Sequence, residues 1–488
     1  MAAPERAHSP VIFGSIAHGG SRLLEPGYIP LSELLTSLST ALDITEGQPP
    51  GHAVRTCLLG MRLAESLSLN SKVRAALFYA LLLKDLGCSS NAAKMCWLFG
   101  ADDRVVKREV KTVNWTQLVD RVRFVIGKVS PGGSAVQKAL RVAAIARSGD
   151  EGARKLIETR CQRGAEISRL MGLPEATAEA IRSLDEHWNG KGHPDGLRGE
   201  EIPLLARILG LAQTAEVFFT RFGLARTCDV LQLRRGEWFE PDLVDRLLAI
   251  RGDIGFWEQM RGDDPQRALA AYVPDDEGFL ADEAALDRVS LGFAQVVDAK
   301  SPWTHRHSVG VAEIAAGMAG ILGCSNDMCR DIRRAGLLHD LGKLGVSNLI
   351  LDKPGRPTEE EYAEIRRHPE FSERILRPIS RFRRLAMVAG AHHERLDGNG
   401  YFRGLPAEHL SSQSRLLVVA DVFEALSSKR PYRDEIPRER ALAIMQRDCG
   451  KAFCPEAFAA LKQWLDRNDF NSRVEAQLEQ VDQLLAEL

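Results

Sequence analysis

Residues 306–325 read RHSVGVAEIAAGMAGILGCS, and residues 51–70 read GHAVRTCLLGMRLAESLSLN. In the first stretch Val309, Ala312, Ile314, Ala315, Met318 and Ile321 recur at helical spacing, which predicts an amphipathic helix with one buried stripe. Leu58, Leu59, Leu63 and Leu67 do the same in the second. The two overlay at an offset of 255 (307 − 52), and LLLKDLGCS (81–89) overlays GLLHDLGKL (336–344) at the same offset (340 − 85). Further on, NGKGHPDGLRGEEIPLLARILGLAQ (189–213) overlays DGNGYFRGLPAEHLSSQSRLLVVAD (397–421) at 208 (400 − 192). The chain therefore reads as a duplication, and the first copy holds about 47 extra residues (255 − 208), expected between Ser89 and Glu151. The expected fold is mainly α, with two tandem helical bundles each burying its own core. The expected boundaries are 30–252 for the first copy, 253–284 for a turn-rich linker, 285–470 for the second copy and 471–488 for a terminal helix.

Composition narrows the function classes. The 488 residues carry 64 basic and 66 acidic side chains, a formal net charge of −2, so no global field recruits nucleic acid or an anionic membrane. The first thirty residues lack a basic start followed by an apolar run, and Ala75 to Leu83 is far shorter than a bilayer requires, so a cytoplasmic location and no membrane span are expected. Nine cysteines without CxxC pairs read as reduced thiols, mostly buried. The run VKREVKTVNW (106–115) in the extra block reads as a solvated helix face, and His187 and His193 as loop-surface histidines.

Most of the twelve histidines lie beyond residue 300, several with an aspartate nearby. LLHDLGK sets His339 beside Asp340 at the end of an apolar helical run, with Lys343 one turn later. His307, His368, the pair His392 and His393, and Asp421 after LLVVA complete a set of seven groups. Imidazole and carboxylate together suit divalent iron, manganese or zinc, and one carboxylate can bridge two ions. An Asp at the end of an apolar run is costly to bury unless a cation pairs with it.

The segments HRHS, LLHDLGK, RRHPE, AHHERLDGNGY and ADVFEALSSKRPYR, across roughly residues 290–465, resemble the motif series of the HD-GYP family. The resemblance implies a helical HD-superfamily bundle that hydrolyses cyclic di-GMP to pGpG, GMP or both, with two divalent ions, iron or manganese. It implies His307, His339, Asp340, His368, His392, His393 and Asp421 as metal ligands, with Asp340 bridging, and Asp340 and Lys343 as the catalytic pair. Lys343, Gly400, Tyr401, Arg430 and Arg433 fall on positions that contact the substrate. Two departures stand out: Phe402 replaces the proline of the GYP signature, and Trp303 stands where three-metal members carry glutamate. A phosphohydrolase of another nucleotide and a non-hydrolytic signalling scaffold are the rival readings.

In the first copy the register sets Lys84 in place of His339, Arg160 of His368, Leu184 and Asp185 of His392 and His393, Gln213 of Asp421 and Cys88 of Lys343. Only His52 and Asp85 persist, matching His307 and Asp340. Such a copy reads as degenerate, leaving regulation, dimerisation or binding of a ligand as its uses; a homodimer and signalling protein partners are compatible with the chain as a whole.

Overall fold

A computed structural model of the chain describes residues 28–468 except 116, 263, 275–279, 305 and 430–433, together with 474–476 and 479. The described chain is helical apart from one antiparallel pairing of two-residue strands, Ile29–Pro30 with Leu280–Ala281. None of its helices is long and apolar enough to cross a membrane.

The duplication is visible element by element. His52–Ala64 and Ser71–Leu83 correspond to His307–Ile321 and Asn326–Leu338 at an offset of 255 (307 − 52, 326 − 71), and Glu175–Arg182 and Leu204–Phe222 to Arg383–Gly390 and Ser412–Ser427 at 208 (383 − 175, 412 − 204). The local signals repeat as well. Asn70 caps the Ser71 helix by accepting from the Val73 N–H at 3.0 Å, and Ser325 caps the Asn326 helix from Met328 at 3.3 Å. A side chain on Gly87 would collide with the Arg160 carbonyl, and one on Gly342 with the His368 carbonyl, so both glycines permit the same close approach of turn to helix.

The expected pair of separate cores merges into one. Helix Leu31–Thr45 buries Leu34, Leu35, Leu38 and Leu42 completely, and it packs both on its own copy and on the 341–345 turn and helix His368–Leu376 of the other. Each such leucine contributes roughly 2 kcal/mol of burial, enough to bind the copies together. The 253–284 stretch, expected as a linker, carries helices Ile254–Arg261 and Pro265–Leu269. They bury Trp257, Met260 and Leu269, with Trp257 ring to ring at 4.8 Å from Phe219 of the first copy. The 471–488 helix lies almost wholly outside the described residues.

The extra block folds where it was expected. Helices Ala92–Phe99, Asp103–Val110 and Leu118–Lys128, and the start of the Ala135–Leu170 helix, enclose a small second core of Met95, Leu98, Phe99, Val106 and Phe124. The basic run on it corrects the expectation of a solvated face: Lys107 is buried and Lys111 half-buried, both in ion pairs with buried carboxylates. All nine cysteines are free, and Cys57, Cys88, Cys96, Cys161 and Cys454 are buried.

Candidate metal centre

Helix His307–Ile321 begins at His307, helix Asn326–Leu338 ends just before His339 and Asp340, His368 opens the helix running to Leu376, and Asp421 lies within Ser412–Ser427. These elements converge, and His392 and His393 follow the Arg383–Gly390 helix into the same space. Asp340 lies at the middle. Its Oδ2 is 3.2 Å from His307 Nε2 and 3.4 Å from His339 Nε2, while its Oδ1 is 3.3 Å from His368 Nε2 and 3.6 Å from His392 Nε2. Asp421 closes the first side, with Oδ1 at 3.3 Å from His307 and 3.8 Å from His339, and approaches His393 Nδ1 at 3.8 Å through Oδ2. Two groups that could each hold an ion result, His307–His339–Asp421 and His368–His392–His393, with Asp340 between them. Lys343 lies one 3₁₀ turn beyond and its ammonium contacts Asp340 Oδ2, so it faces Asp340 rather than continuing the helical face of His339.

The proton positions fix what this cluster can bind. The Nδ1 atoms of His339, His368 and His392 lie at 2.6, 2.6 and 2.5 Å from the carbonyls of Gly336, Ile365 and Ala389. A carbonyl only accepts, so each Nδ1 carries the proton and each Nε2 turns a lone pair inward. His368 Nε2 and His392 Nε2 then face each other at 3.0 Å with no proton between them, an arrangement that calls for a cation. His339 Nε2 and Asp340 Oδ1 are buried with no hydrogen-bond partner, which is costly for polar atoms unless a metal takes them. Burial pushes His368 down to about 4 and also lowers His392 and His393, so all three are neutral ligands at neutral pH. Burial alone would raise the Asp340 carboxyl, but His339, Lys343 and His307 hold it well below the usual carboxylate range. The donor set fits divalent metal ions.

Glu424 is the residue the sequence reading missed. Its carboxylate binds His307 Nδ1 and so turns Nε2 toward Asp340 and Asp421. Its signal was present: Glu216 stands 208 residues earlier (424 − 208) and binds His52 Nδ1 in the same way. Tyr401 lies ring to ring against His393 at 4.7 Å, with the Arg366 guanidinium 5.6 Å from the Tyr401 ring and 4.3 Å from Tyr362. Gly400 is required because a Cβ there would strike the backbone of Glu394 and His393. The loop keeps its shape without the proline: Glu394 accepts from the N–H groups of Arg403 and Leu405, as Glu186 does from Asp195, Gly196 and Leu197 in the first copy. Tyr401–Phe402 and His193–Pro194 are both cis, at the same register. Arg430 and Arg433 lie outside the described residues.

The corresponding space in the first copy is filled by cations from the chain itself. Lys84 Nζ is 2.5 Å from Asp85 Oδ2, and Lys111 Nζ is 2.9 Å from Glu46, 3.2 Å from Asp85 Oδ1 and 3.4 Å from the Gln213 carbonyl oxygen. Glu46, Asp85 and Cys88 could by themselves hold an ion, but the Lys111 ammonium already lies among them. Arg160 pairs with Asp185 at the positions of His368 and His393. His187 is not a plain surface residue, since it stacks on Trp238 at 4.1 Å and burial pushes it down to about 3.

Comparison with known proteins agrees with this geometry. A family model described as HD domain matches residues 147–243 and 293–456, one segment in each copy. The 3'3'-cGAMP-specific phosphodiesterase 3 of Vibrio cholerae is 43% identical over 437 residues, covering 90% of this chain and 95% of that protein. The crystal structure of a V. cholerae cyclic GMP-AMP specific phosphodiesterase, V-cGAP3, superposes with a TM-score of 0.62 at 39% identity, over 91% of this chain and 99% of that one. The cyclic di-GMP phosphodiesterase response regulator RpfG of Xanthomonas campestris pv. campestris is 38% identical over 173 residues, 35% of this chain and 43% of that protein. With its two HD folds and a single complete histidine and aspartate set, the chain belongs to the HD-GYP family of metal-dependent phosphodiesterases.

Proposed function

We propose that the second copy hydrolyses a cyclic dinucleotide, with 3'3'-cGAMP as its preferred substrate. The supporting observation is the relationship to the 3'3'-cGAMP-specific phosphodiesterase 3, which spans nearly the whole of both chains, first copy included; the similarity to the cyclic di-GMP regulator is confined to about a third of this chain. His307, His339 and Asp421 with Asp340 Oδ2 would hold one divalent ion, and His368, His392 and His393 with Asp340 Oδ1 a second, iron or manganese. Trp303 in place of glutamate favours two ions over three. When bound, such a pair supplies Lewis acidity and activates water at neutral pH. Water then adds to phosphorus, the P–O3′ bond breaks, and the proton goes to the 3′ oxygen, leaving a linear dinucleotide. Lys343 neutralises charge on the phosphate as it builds, and Tyr401 with Arg366 offers a face on which a base can stack. The proposal places this activity in the cytoplasm.

Cyclic di-GMP, hydrolysed to pGpG or GMP, is the second reading, favoured by the motif series and the match to the regulator. Parallel turnover of 3'3'-cGAMP and cyclic di-GMP by iron- and manganese-loaded protein separates the two. At least tenfold higher kcat/KM for 3'3'-cGAMP is expected. The reverse order assigns cyclic di-GMP, and tight binding of either without turnover in any metal state leaves a signalling scaffold.

A further inference from the structure

Helix Asp103–Val110 of the extra block joins the two centres. At its first turn Asp103 is buried, accepts from the Asn348 N–H at 3.1 Å, and lies 3.4 Å from Lys300 Nζ, both partners belonging to the second copy. Arg104 donates to the carbonyl of Gly345, which closes the 341–345 turn that carries Lys343, and to Glu364 at 3.2 Å. Glu364 lies next to Ile365, whose carbonyl holds His368 Nδ1. One arginine thus touches both segments that orient the metal-facing side chains. Just past the other end of the helix Lys111 enters the first copy's centre, 2.9 Å from Glu46 and 3.2 Å from Asp85. Asp85 and Gln213 occupy the register of Asp340 and Asp421, so an ammonium group stands where the intact copy gathers its metal-binding carboxylates. Lys111 stands eight residue steps beyond Asp103 (111 − 103), about 12 Å of helical rise.

We infer that the first copy's dismantled centre is a socket for Lys111, and that through the Asp103–Val110 helix it holds Asp103 and Arg104 as positioning residues for the catalytic turn of the second copy. Asp85, at the register of Asp340, now anchors a lysine together with Glu46, whose register position in the second copy is Ser301. The anchor is strong for a physical reason: Glu46 and Asp85 are buried, and taking the lysine away leaves them with less positive charge than they need. The helix is short and continuous, so a loosened Lys111 releases Arg104 from Gly345 and Glu364, and the Lys343 turn loses an outside support.

The test uses the full chain loaded with manganese and bis(p-nitrophenyl) phosphate as substrate, so its outcome does not depend on which dinucleotide is natural. Lys111→Met is expected to lower kcat about tenfold with KM changed less than twofold and manganese content unchanged. In metal-free protein the same variant is expected to speed amide exchange over residues 341–351. Arg104→Ala should reproduce both effects, Arg104→Lys should recover most of the rate, and Lys111→Met with Arg104→Ala should be no worse than the more severe single variant. Unchanged kcat and unchanged exchange over 341–351 in Lys111→Met, with exchange faster only in the first copy, would overturn the inference. Should Lys111→Met not fold, the Arg104 pair decides: no loss in Arg104→Ala, or no recovery in Arg104→Lys, overturns it equally.

Discussion

The two copies solve one electrostatic problem in opposite ways. Each folds a buried aspartate, Asp85 or Asp340, against a histidine, His52 or His307, that is turned by a glutamate, Glu216 or Glu424. The second copy surrounds its aspartate with imidazoles, three of them turning lone pairs inward that the single ammonium of Lys343 on Asp340 Oδ2 does not fill. The first answers its aspartate internally with Lys84 and Lys111. A metal brought by solvent can be exchanged and can do chemistry; a lysine brought by the chain cannot leave. Both copies set an ammonium beside the buried aspartate, and only the second also gathers imidazole nitrogens around it.

The comparison is most sharply broken at the shared aspartate. Asp340→Ala should abolish metal binding and lower turnover by ~10³-fold or more, measured by metal analysis beside single-turnover rates. Full metal content in that variant would mean that Asp340 does not bridge. Lys343→Ala should keep its metal and lose ~10²-fold in kcat, whereas Cys88→Ala at the matching position should leave kcat within about twofold. The glutamates separate next. Glu424→Gln is expected to weaken metal affinity ~10–100-fold, read by competition with a chelator, while Glu216→Gln should lower stability by roughly 3 kcal/mol with metal content unchanged, read by chemical denaturation. The smallest effect concerns acid. Burial holds His368 at about 4 against its ordinary 6.5, so the unfolded chain binds a proton that the folded one does not as pH falls through that window. Metal-free protein should therefore lose about 1 kcal/mol per such histidine between pH 6.5 and 5.5. The loss should appear as faster amide exchange around residues 368–393, and His187, which burial pushes down to about 3, gives the first copy a loss of its own. Exchange around residues 368–393 that does not change between pH 6.5 and 5.5 would remove the assignment to these histidines.

How much of this was legible in the sequence follows from the range of each interaction. The helices and the duplication were readable because apolar spacing and capping residues such as Asn70 and Ser325 act within a turn or two. The seven metal-facing residues were readable because they sit in short motifs, and the structure brings all of them together with Lys343. Glu424 was harder: it lies mid-helix and touches only the far nitrogen of a ligand, and its repetition as Glu216 was its one signal. Lys111 was not readable from a local pattern, since its partners Glu46, Asp85 and Gln213 lie 65, 26 and 102 residues away (111 − 46, 111 − 85, 213 − 111). A basic run reads as solvated until the fold shows what it meets. The merged core and the helical connector escaped for the same reason, because which copy covers the outer face of Leu31–Thr45 is settled by docking and not by periodicity.

The pairing of Ile29–Pro30 with Leu280–Ala281 sets an order on synthesis. A ribosome must deliver some 250 further residues before the first strand meets its partner, and helix Leu31–Thr45 waits longer still for the 341–345 turn that covers it. Until then the nascent first copy presents apolar surface to solvent, the condition in which aggregation competes with folding. A fragment starting at residue 285 would inherit the complementary bare face for good, so it should aggregate more readily than the full chain.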